Sequence, residues 1–224
     1  MIEVEPREAY RRWAPSYAGE TAISFLEDGL VARLTPDMAD MLLLDAGCGT
    51  GRRLHDCGAR FAIGIDNSPE MLAAGGDTSG RRGFRTIVGD VRALPFADGW
   101  FDVVWCRLVI GHVADCHAVY AELARVAAPG ATVIVSDFHP AAIAAGHRRS
   151  FRDNAVEIAI EHHVHTLEKH LEAACAGGLT APEIGEAPIG PPVRHFYARA
   201  GREALYREHL GLPVVLAIAF RRAL

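Results

Sequence analysis

The stretch Leu42–Gly51, with the sequence LLLDAGCGTG, decides the fold of this chain. Three consecutive leucines without polar alternation are typical of a parallel strand that is buried on both faces. Gly47, Gly49 and Gly51 permit positive φ angles and let the backbone approach a ligand closely. We predict a strand that enters a tight glycine turn, followed by a helix over Arg52–Ala59 whose free N–H groups face the turn. A nucleotide-like ligand is expected at the carboxyl end of this strand.

The spacing of the glycines distinguishes two kinds of nucleotide site. In the dinucleotide fingerprint the third glycine comes three residues after the second, but Arg52 occupies that position here. The pattern is GxGxG instead, with Asp45 two residues before its first glycine. This spacing weighs against a nicotinamide dinucleotide and leaves the ligand to be decided by the residues that follow.

Two more apolar runs end in a carboxylate. Phe61–Asp66 (FAIGID) places Asp66 nineteen residues after Gly47, where an ionised carboxylate can accept hydrogen bonds from both hydroxyls of a ribose. Ser68 then fits the N-cap of a helix that begins at Pro69. A third strand over residues 84–89 leads to Asp90, and ALPF follows at residues 93–96.

These linked motifs, with FDVV opening a fourth strand over Phe101–Leu108, resemble the class I S-adenosylmethionine-dependent methyltransferases. The resemblance is nearest to the branch with the ubiquinone/menaquinone and malonyl-carrier-protein methyltransferases. It implies an α/β, Rossmann-like sheet of seven strands, mostly parallel with an antiparallel last strand, and helices on both faces. It also implies that S-adenosylmethionine is the cofactor and that a methyl group passes to a small-molecule acceptor.

The resemblance assigns roles to residues of the cofactor site. Asp45 would lie near the ammonium group of the cofactor, Asp66 would bind the ribose, and Asp90 would accept from the exocyclic amine of adenine. Asp90 could instead cap the turn at Val91-Arg92, and Met71 could be an ordinary core residue. The complete set of expected cofactor-binding residues is Asp45, Gly47, Cys48, Gly49, Gly51, Asp66, Asn67, Met71, Asp90, Val91 and Arg107.

Two histidines follow strands on the expected ligand side. His112 comes shortly after Phe101–Leu108, and His139 follows a fifth strand over Ala131–Asp137. Because imidazole titrates near neutrality, each is a candidate general base or acceptor-positioning group. His112 could also cap the next helix, predicted over Asp115–Ala128, or touch the cofactor without moving a proton.

The segments that flank the core point to the acceptor. Glu5–Leu34 has helical spacing broken at Pro15 and Gly19, and YRRWAPSY at residues 10–17 resembles a lid over the cofactor. Simple packing of these aromatic side chains against the sheet is the alternative. We therefore expect one domain, divided into a lid (1–34), a cofactor-binding core (35–137) and an acceptor-side insertion with C-terminal strands (138–224). The expected acceptor-binding residues are Tyr17, His139 and His163.

The insertion contains two further clusters. Arg148, Arg149 and Arg152 form either a solvated surface or a clamp for an acidic substrate. The sequence EHHVH at residues 161–165 suggests a metal, but neither helical nor strand spacing brings three ligands to one side, so no metal is expected. Further along, helices over Leu167–Ala176 and Arg199–Leu210 and strands over Pro182–Ile189 and Leu212–Phe220 are predicted.

Composition limits the classes of function. The 224 residues are 50% hydrophobic, enough to bury a full core, and the net charge of −5 gives no basic surface for nucleic acid. Met1–Arg12 is charged rather than apolar, which argues against a signal peptide, and no apolar run has the roughly 18 residues of a membrane span. Five scattered cysteines fit reduced thiols in a cytoplasm. We expect a cytoplasmic protein that is a monomer or a homodimer. A non-catalytic cofactor-binding module, an RNA methyltransferase and a nicotinamide-dependent oxidoreductase remain as alternatives.

Overall fold

The computed structural model describes residues 2–17, 20–78, 83–154 and 156–224, so the break predicted at Gly19 lies outside the described residues. The described residues contain ten strands, numbered in chain order. Their bounds are Ile2–Val4 (β1), Leu42–Ala46 (β2), Phe61–Asp66 (β3), Phe84–Val88 (β4), Phe101–Arg107 (β5), Ala127–Phe138 (β6), Ser150–Asp153 (β7), Val156–Ile160 (β8), Leu179–Pro188 (β9) and Pro213–Arg222 (β10).

Helices lie on both faces of the central sheet. Helices α4 (Cys116–Val126) and α6 (Leu167–Ala176) pack on the face that contains Leu44 and Ala46. Helix α2 (Ala22–Leu34) packs on the opposite face with Leu43. The predicted arrangement of layers is therefore confirmed. The helices are Pro6–Trp13 (α1), Ala22–Leu34 (α2), Pro69–Ala74 (α3), Cys116–Val126 (α4), Pro140–Ala144 (α5), Leu167–Ala176 (α6), Arg194–Arg199 (α7) and Glu203–Glu208 (α8).

The central sheet has seven strands in the order β4-β3-β2-β5-β6-β10-β9. The pairs from β4 to β6 are parallel, and β10 is antiparallel to both β6 and β9. Leu43 and Leu44 of β2 are fully buried, as the unbroken leucine run predicts for a central parallel strand. The reversed last strand confirms the topology that the resemblance implied.

A second sheet has three strands and connects the N-terminal segment to the insertion after β6. β1 pairs in parallel with β8, and β8 pairs antiparallel with β7. Trp13 at the end of α1 stacks on Phe151 of β7, with ring centroids 5.0 Å apart. The sequence did not predict this sheet, which ties the N-terminal segment to the insertion after β6.

Two predicted helices are wrong in extent. The helix expected over residues 52–59 is only a short 3₁₀ turn, Arg52–Leu54, because Gly58 adopts φ +78° and the chain must enter β3 at Phe61. The helix expected over residues 199–210 begins later and is shorter. α7 ends at Arg199, Gly201 follows at φ +66°, and only Glu203–Glu208 (α8) continues as a helix within the expected range. By contrast, Ser68 caps α3 as predicted and accepts from the backbone N–H of Met71.

No helix in the described part of the chain is both long and apolar enough to cross a membrane. The carboxyl ends of β2, β3 and β5 lie at one edge of the sheet, which the lid helix α1 and the β7–β8 hairpin cover. This edge carries the candidate site.

Candidate active site

A cavity with about 1040 Å³ of empty space, part of it open to solvent, lies at this edge of the sheet. Nine of the eleven expected cofactor-binding residues line it; Asp45 and Gly51 do not. The nine are Gly47, Cys48, Gly49, Asp66, Asn67, Met71, Asp90, Val91 and Arg107.

The glycine turn closes tightly on the neighbouring strand. The backbone N–H groups of Gly47 and Cys48 both donate to the carbonyl oxygen of Ile65, at 2.7 and 3.0 Å. Gly47 has φ +84°, and a Cβ atom there would lie 2.2 Å from Cγ2 of Val109. Glycine is required at this position for both reasons. Gly51 shapes the exit of the turn at φ +70° and is not part of the cavity lining.

Asp66 connects the turn to the start of α3. Its Oδ2 accepts from the N–H of Gly49 at 2.7 Å, and its Oδ1 accepts from the N–H of Ser68 at 2.9 Å. Burial raises its pKa above the ordinary value. Each carboxylate oxygen keeps lone-pair capacity toward the cavity, as the predicted contact with ribose hydroxyls requires.

Asp90 lines the cavity but already has a partner. Arg92 donates to both of its oxygens, the shortest contact being 2.6 Å, and the backbone N–H of Arg92 donates to Oδ1 at 2.8 Å. The Arg92 guanidinium holds the pKa of Asp90 below its usual value. In the structure Asp90 therefore caps the turn at Val91-Arg92, which was the alternative to adenine binding. Its contact with adenine stays a prediction.

Asp45 does not line the cavity. Its carboxyl group lies near the charged side chains of Arg53, Arg107 and Glu27. Both of its carboxylate oxygens are buried without a hydrogen-bond partner among the described residues, and burial raises its pKa to about 6. A buried carboxylate without a partner is costly unless a proton or a cationic ligand compensates it. The contact with an ammonium group would compensate this carboxylate, but it stays a prediction because Asp45 does not line the cavity.

Arg107, which the sequence predicts to bind the cofactor, forms ion pairs with two carboxylates of α2. Its Nε and Nη2 donate to the two oxygens of the fully buried Glu27 at 2.9 and 2.7 Å, and Nη2 also pairs with Asp28. Arg53, which also lines the cavity, pairs with both carboxylates from the other side. Sequence reasoning did not find Glu27, because a single glutamate in an amphipathic helix looks like a surface residue.

His112 lines the cavity, and each of its two ring nitrogens has a hydrogen-bond partner. Its Nδ1 lies 3.3 Å from the carbonyl oxygen of Glu161, to which it can only donate. Its Nε2 therefore accepts, from Tyr10 Oη at 3.1 Å and from Arg149 Nη1 at 3.0 Å. Burial, and then the Arg149 charge, lower the pKa of His112 to about 3, so the ring is neutral near pH 7.

The other two candidate histidines lie outside the cavity lining. The Nδ1 of His139 caps α5 by accepting from the N–H of Ala141, and its Nε2 lies 3.2 Å from Glu186. His163 is part-exposed, with its Nε2 3.7 Å from Glu161. The carboxyl end of β6 carries His139 away from the cavity, because the chain turns directly into α5. Neither the catalytic assignment of His139 nor the acceptor-binding assignments of His139 and His163 gain geometric support.

The lid places aromatic rings over the cavity. Tyr10 and Tyr17 line it, and their ring centroids are 6.2 Å apart. Burial raises the pKa of Tyr10, which is a neutral donor to His112. Tyr17 also lines a second cavity of about 740 Å³ together with Trp13 and Arg149. The acceptor-binding role of Tyr17 stays a prediction.

Among the described residues, no group of three or more histidine, cysteine or acidic side chains is arranged to hold a metal ion. The thiol of Cys48 has a pKa well above its ordinary value because it is buried, so it lines the cavity as a small neutral group.

Comparison with known proteins agrees with this geometry. The family model described as a methyltransferase domain matches residues 44–135, which include the glycine turn, Asp66 and Asp90. A malonyl-[acyl-carrier protein] O-methyltransferase of Dechloromonas aromatica is 31% identical over 80% of this chain and 66% of its own length. A demethylmenaquinone methyltransferase of Corynebacterium glutamicum is 35% identical over 53% of this chain and 52% of its own length.

The fold itself is similar to solved structures. The crystal structure of an S-adenosylmethionine-dependent methyltransferase from Mesorhizobium loti covers 90% of this chain with a TM-score of 0.69 and 20% sequence identity. The chain belongs to the class I S-adenosylmethionine-dependent methyltransferases. It spans about half to two thirds of the length of the two curated relatives described above.

Proposed function

We propose that this chain transfers a methyl group from S-adenosylmethionine to a nucleophilic atom of a small organic acceptor held under the N-terminal lid. The observation that supports the proposal most directly is that two neighbouring cavities share lining residues. Tyr17, Leu108 and Arg149 line both the cavity at the glycine turn and the second cavity under Trp13.

The cofactor supplies a methyl group that is already activated on a sulfonium. The chain then has to align the acceptor and exclude water. Tyr17, which lines both cavities, offers a π face that attracts a cation. α1 and the β7–β8 hairpin cover the site, since Trp13 and Phe151 stack face to face.

His112 is proposed as a positioning group rather than a general base. The lone pair of its Nε2 is shared by Tyr10 and Arg149, and the neighbouring guanidinium makes protonation unfavourable. An acceptor that is already anionic needs no base, whereas a neutral acceptor would release its proton to water. The base role predicted from the sequence is therefore the less favoured of the two roles.

Turnover with methyl-labelled S-adenosylmethionine tests this proposal. Purified protein is incubated with pooled small acceptors that carry hydroxyl, carboxylate, amine or activated carbon nucleophiles. We expect labelled product and S-adenosylhomocysteine in equal amounts for at least one class. Binding of the cofactor without turnover on any class would favour the non-catalytic module, and label found only in added RNA would favour RNA methylation.

A further inference from the structure

Arg149 lines both cavities, and one edge of its guanidinium forms no hydrogen bond with a described residue. Its Nη1 donates to the carbonyl oxygen of Leu108 at 2.8 Å and to His112 Nε2 at 3.0 Å. Its Nε and Nη2 form no hydrogen bond with any residue that the structure describes. These two nitrogens form the edge of arginine that can bind a carboxylate through two parallel hydrogen bonds.

The guanidinium is held in place before any ligand binds. Its Cζ lies 5.8 Å from the ring centroid of Tyr10 and 5.7 Å from that of Phe138, within the range of cation–π contact. Leu108, which accepts from Nη1, has φ +57°, a conformation that is strained for a bulky residue. Strain of this kind persists where the surroundings fix the backbone, and here it accompanies the fixed orientation of Arg149.

The charge around the second cavity is unbalanced. Arg52 and Arg53 reach this cavity but pair with Asp28, and Arg53 also pairs with Glu27. Arg148 donates to two backbone carbonyl groups, and neither Arg148 nor Arg149 pairs with a carboxylate in the described ranges. No aspartate or glutamate is among the described residues that line the second cavity.

The charge of Arg149 acts on the carboxyl group of Asp137, which is buried. Burial raises the pKa of Asp137 to about 7, so this side chain is a weak counterion for the guanidinium. An anion from outside the chain would complete the charge balance.

We propose that the acceptor is an organic carboxylate whose carboxylate group pairs with Nε and Nη2 of Arg149 while its apolar body lies against Trp13, Tyr17 and Phe138. These aromatic side chains line the second cavity together with Arg149. The inference rests on the methyl transfer proposed above and names the chemical class of its acceptor.

The test compares two probes that differ in charge, 4-hydroxybenzoate and 4-hydroxybenzamide. Their affinities are measured by saturation-transfer NMR, with and without saturating S-adenosylhomocysteine. We expect the wild-type protein to prefer the anion by about tenfold or more, since hydrogen bonds to charged groups contribute more than neutral ones. Arg149→Met should abolish the preference, and Arg149→Lys should restore only part of it.

Arg152→Met is the matched control. Arg152 lies exposed on β7, three residues from Arg149, and does not line either cavity. This variant should keep the full preference for the anion. Circular dichroism of each variant checks that the fold is retained.

Two results would overturn the inference while leaving methyl transfer intact. The first is equal or absent binding of both probes, or a preference that survives Arg149→Met. The second is a loss of S-adenosylhomocysteine affinity in Arg149→Met, which would place Arg149 in the cofactor site. Failure of the wild-type protein to bind S-adenosylhomocysteine would instead contradict the proposed function, and the probes measured without it would still report on Arg149.

Discussion

His112 shows how three neighbours can determine the chemistry of one side chain. A phenol, a guanidinium and a backbone carbonyl occupy its two ring nitrogens. Burial and the charge of Arg149 keep the ring neutral, although the contact with the Glu161 carbonyl acts in the opposite direction. From its position in the sequence His112 is a plausible base. In the structure it instead accepts hydrogen bonds that orient Tyr10 and Arg149.

This arrangement predicts an unusual titration of His112. Its pKa in the folded protein is about 3, so its NMR signals should not titrate between pH 8 and pH 5. Arg149→Met removes a nearby positive charge, and the pKa should rise by roughly one unit or more. Arg152→Met should leave the pKa unchanged. A wild-type pKa at or above about 6 would contradict the described environment.

Most residues that line the cavity at the glycine turn could be predicted because their signals are local. The glycines and strand-end carboxylates owe their positions to the strands that directly precede them, so Asp66 and Gly49 reach the cavity together. His139 was predicted in the same way, because it also follows a strand. It caps α5, which begins at the next residue, and does not line the cavity. The geometry of Arg149 depends on Leu108, Tyr10 and Phe138, which are distant in sequence. The sequence offered only a cluster of arginines as a signal.

At the scale of elements, the expected lid over residues 1–34 divides into two parts. α2 packs on the central sheet, so the lid is reduced to β1 and α1, which pack on the β7–β8 hairpin. β1 adds one strand to the β7–β8 hairpin, and Trp13 stacks on Phe151 in a small separate core. Elements with few buried contacts open more readily than the main core. The lid is therefore the part of the fold that is most suited to admit ligands.

Trp13→Ala should loosen the lid and leave the central sheet intact. We expect amide hydrogen exchange in α1 and in the β7–β8 hairpin to rise about tenfold or more, with β2 and β5 unchanged. Mass spectrometry of exchanged peptides measures this. Trp100→Ala is the control, because Trp100 is exposed in a loop outside both cavities. Uniformly faster exchange across the sheet would show that Trp13 supports the whole fold instead.

The elements of the central sheet followed from their apolar runs and caps. α6 has the bounds that its sequence predicts, and it ends where Gly177 follows. Short elements that depend on tertiary pairing were missed. β1 has three residues and forms only because β8 lies beside it. No periodic pattern can appear in so short a segment.

At the scale of the whole molecule, buried ionisable groups make stability depend on pH. Asp137 is almost fully buried; its Oδ1 accepts from the N–H of Phe138, and its Oδ2 has no partner among the described residues. His170 Nε2 lies 3.8 Å from Oδ2, and burial lowers the pKa of that histidine to about 4, so it is neutral as well.

The sign of the effect follows from the raised pKa of Asp137. Its value rises from 3.8 to about 7 on folding, so the folded state keeps a proton that the unfolded state releases. The stability it contributes is fully present below about pH 4 and is lost as the pH rises through 7. His112 acts in the opposite sense, because its lowered pKa costs stability as the pH falls below about 6.5.

Asp137→Asn isolates the first effect by mimicking the protonated carboxyl group. Relative to the wild type, the free energy of unfolding of this variant should increase by about 2–3 kcal/mol between pH 5 and pH 8. Urea denaturation at the two pH values measures the difference. Asp40→Asn, a change at an exposed site, should show no such trend. A constant difference between Asp137→Asn and the wild type would mean that Asp137 is ionised throughout.

The most direct test of the account is calorimetric titration of the wild-type protein and Asp66→Ala with S-adenosylmethionine, S-adenosylhomocysteine and NAD. We expect the wild type to bind both sulfur ligands and not NAD. The affinity for both should fall about 10–100-fold in Asp66→Ala, as loss of hydrogen bonds to a charged group predicts, while Asp40→Ala binds as the wild type does. Binding of NAD, or no binding of either sulfur ligand by the folded wild-type protein, would contradict the central claim.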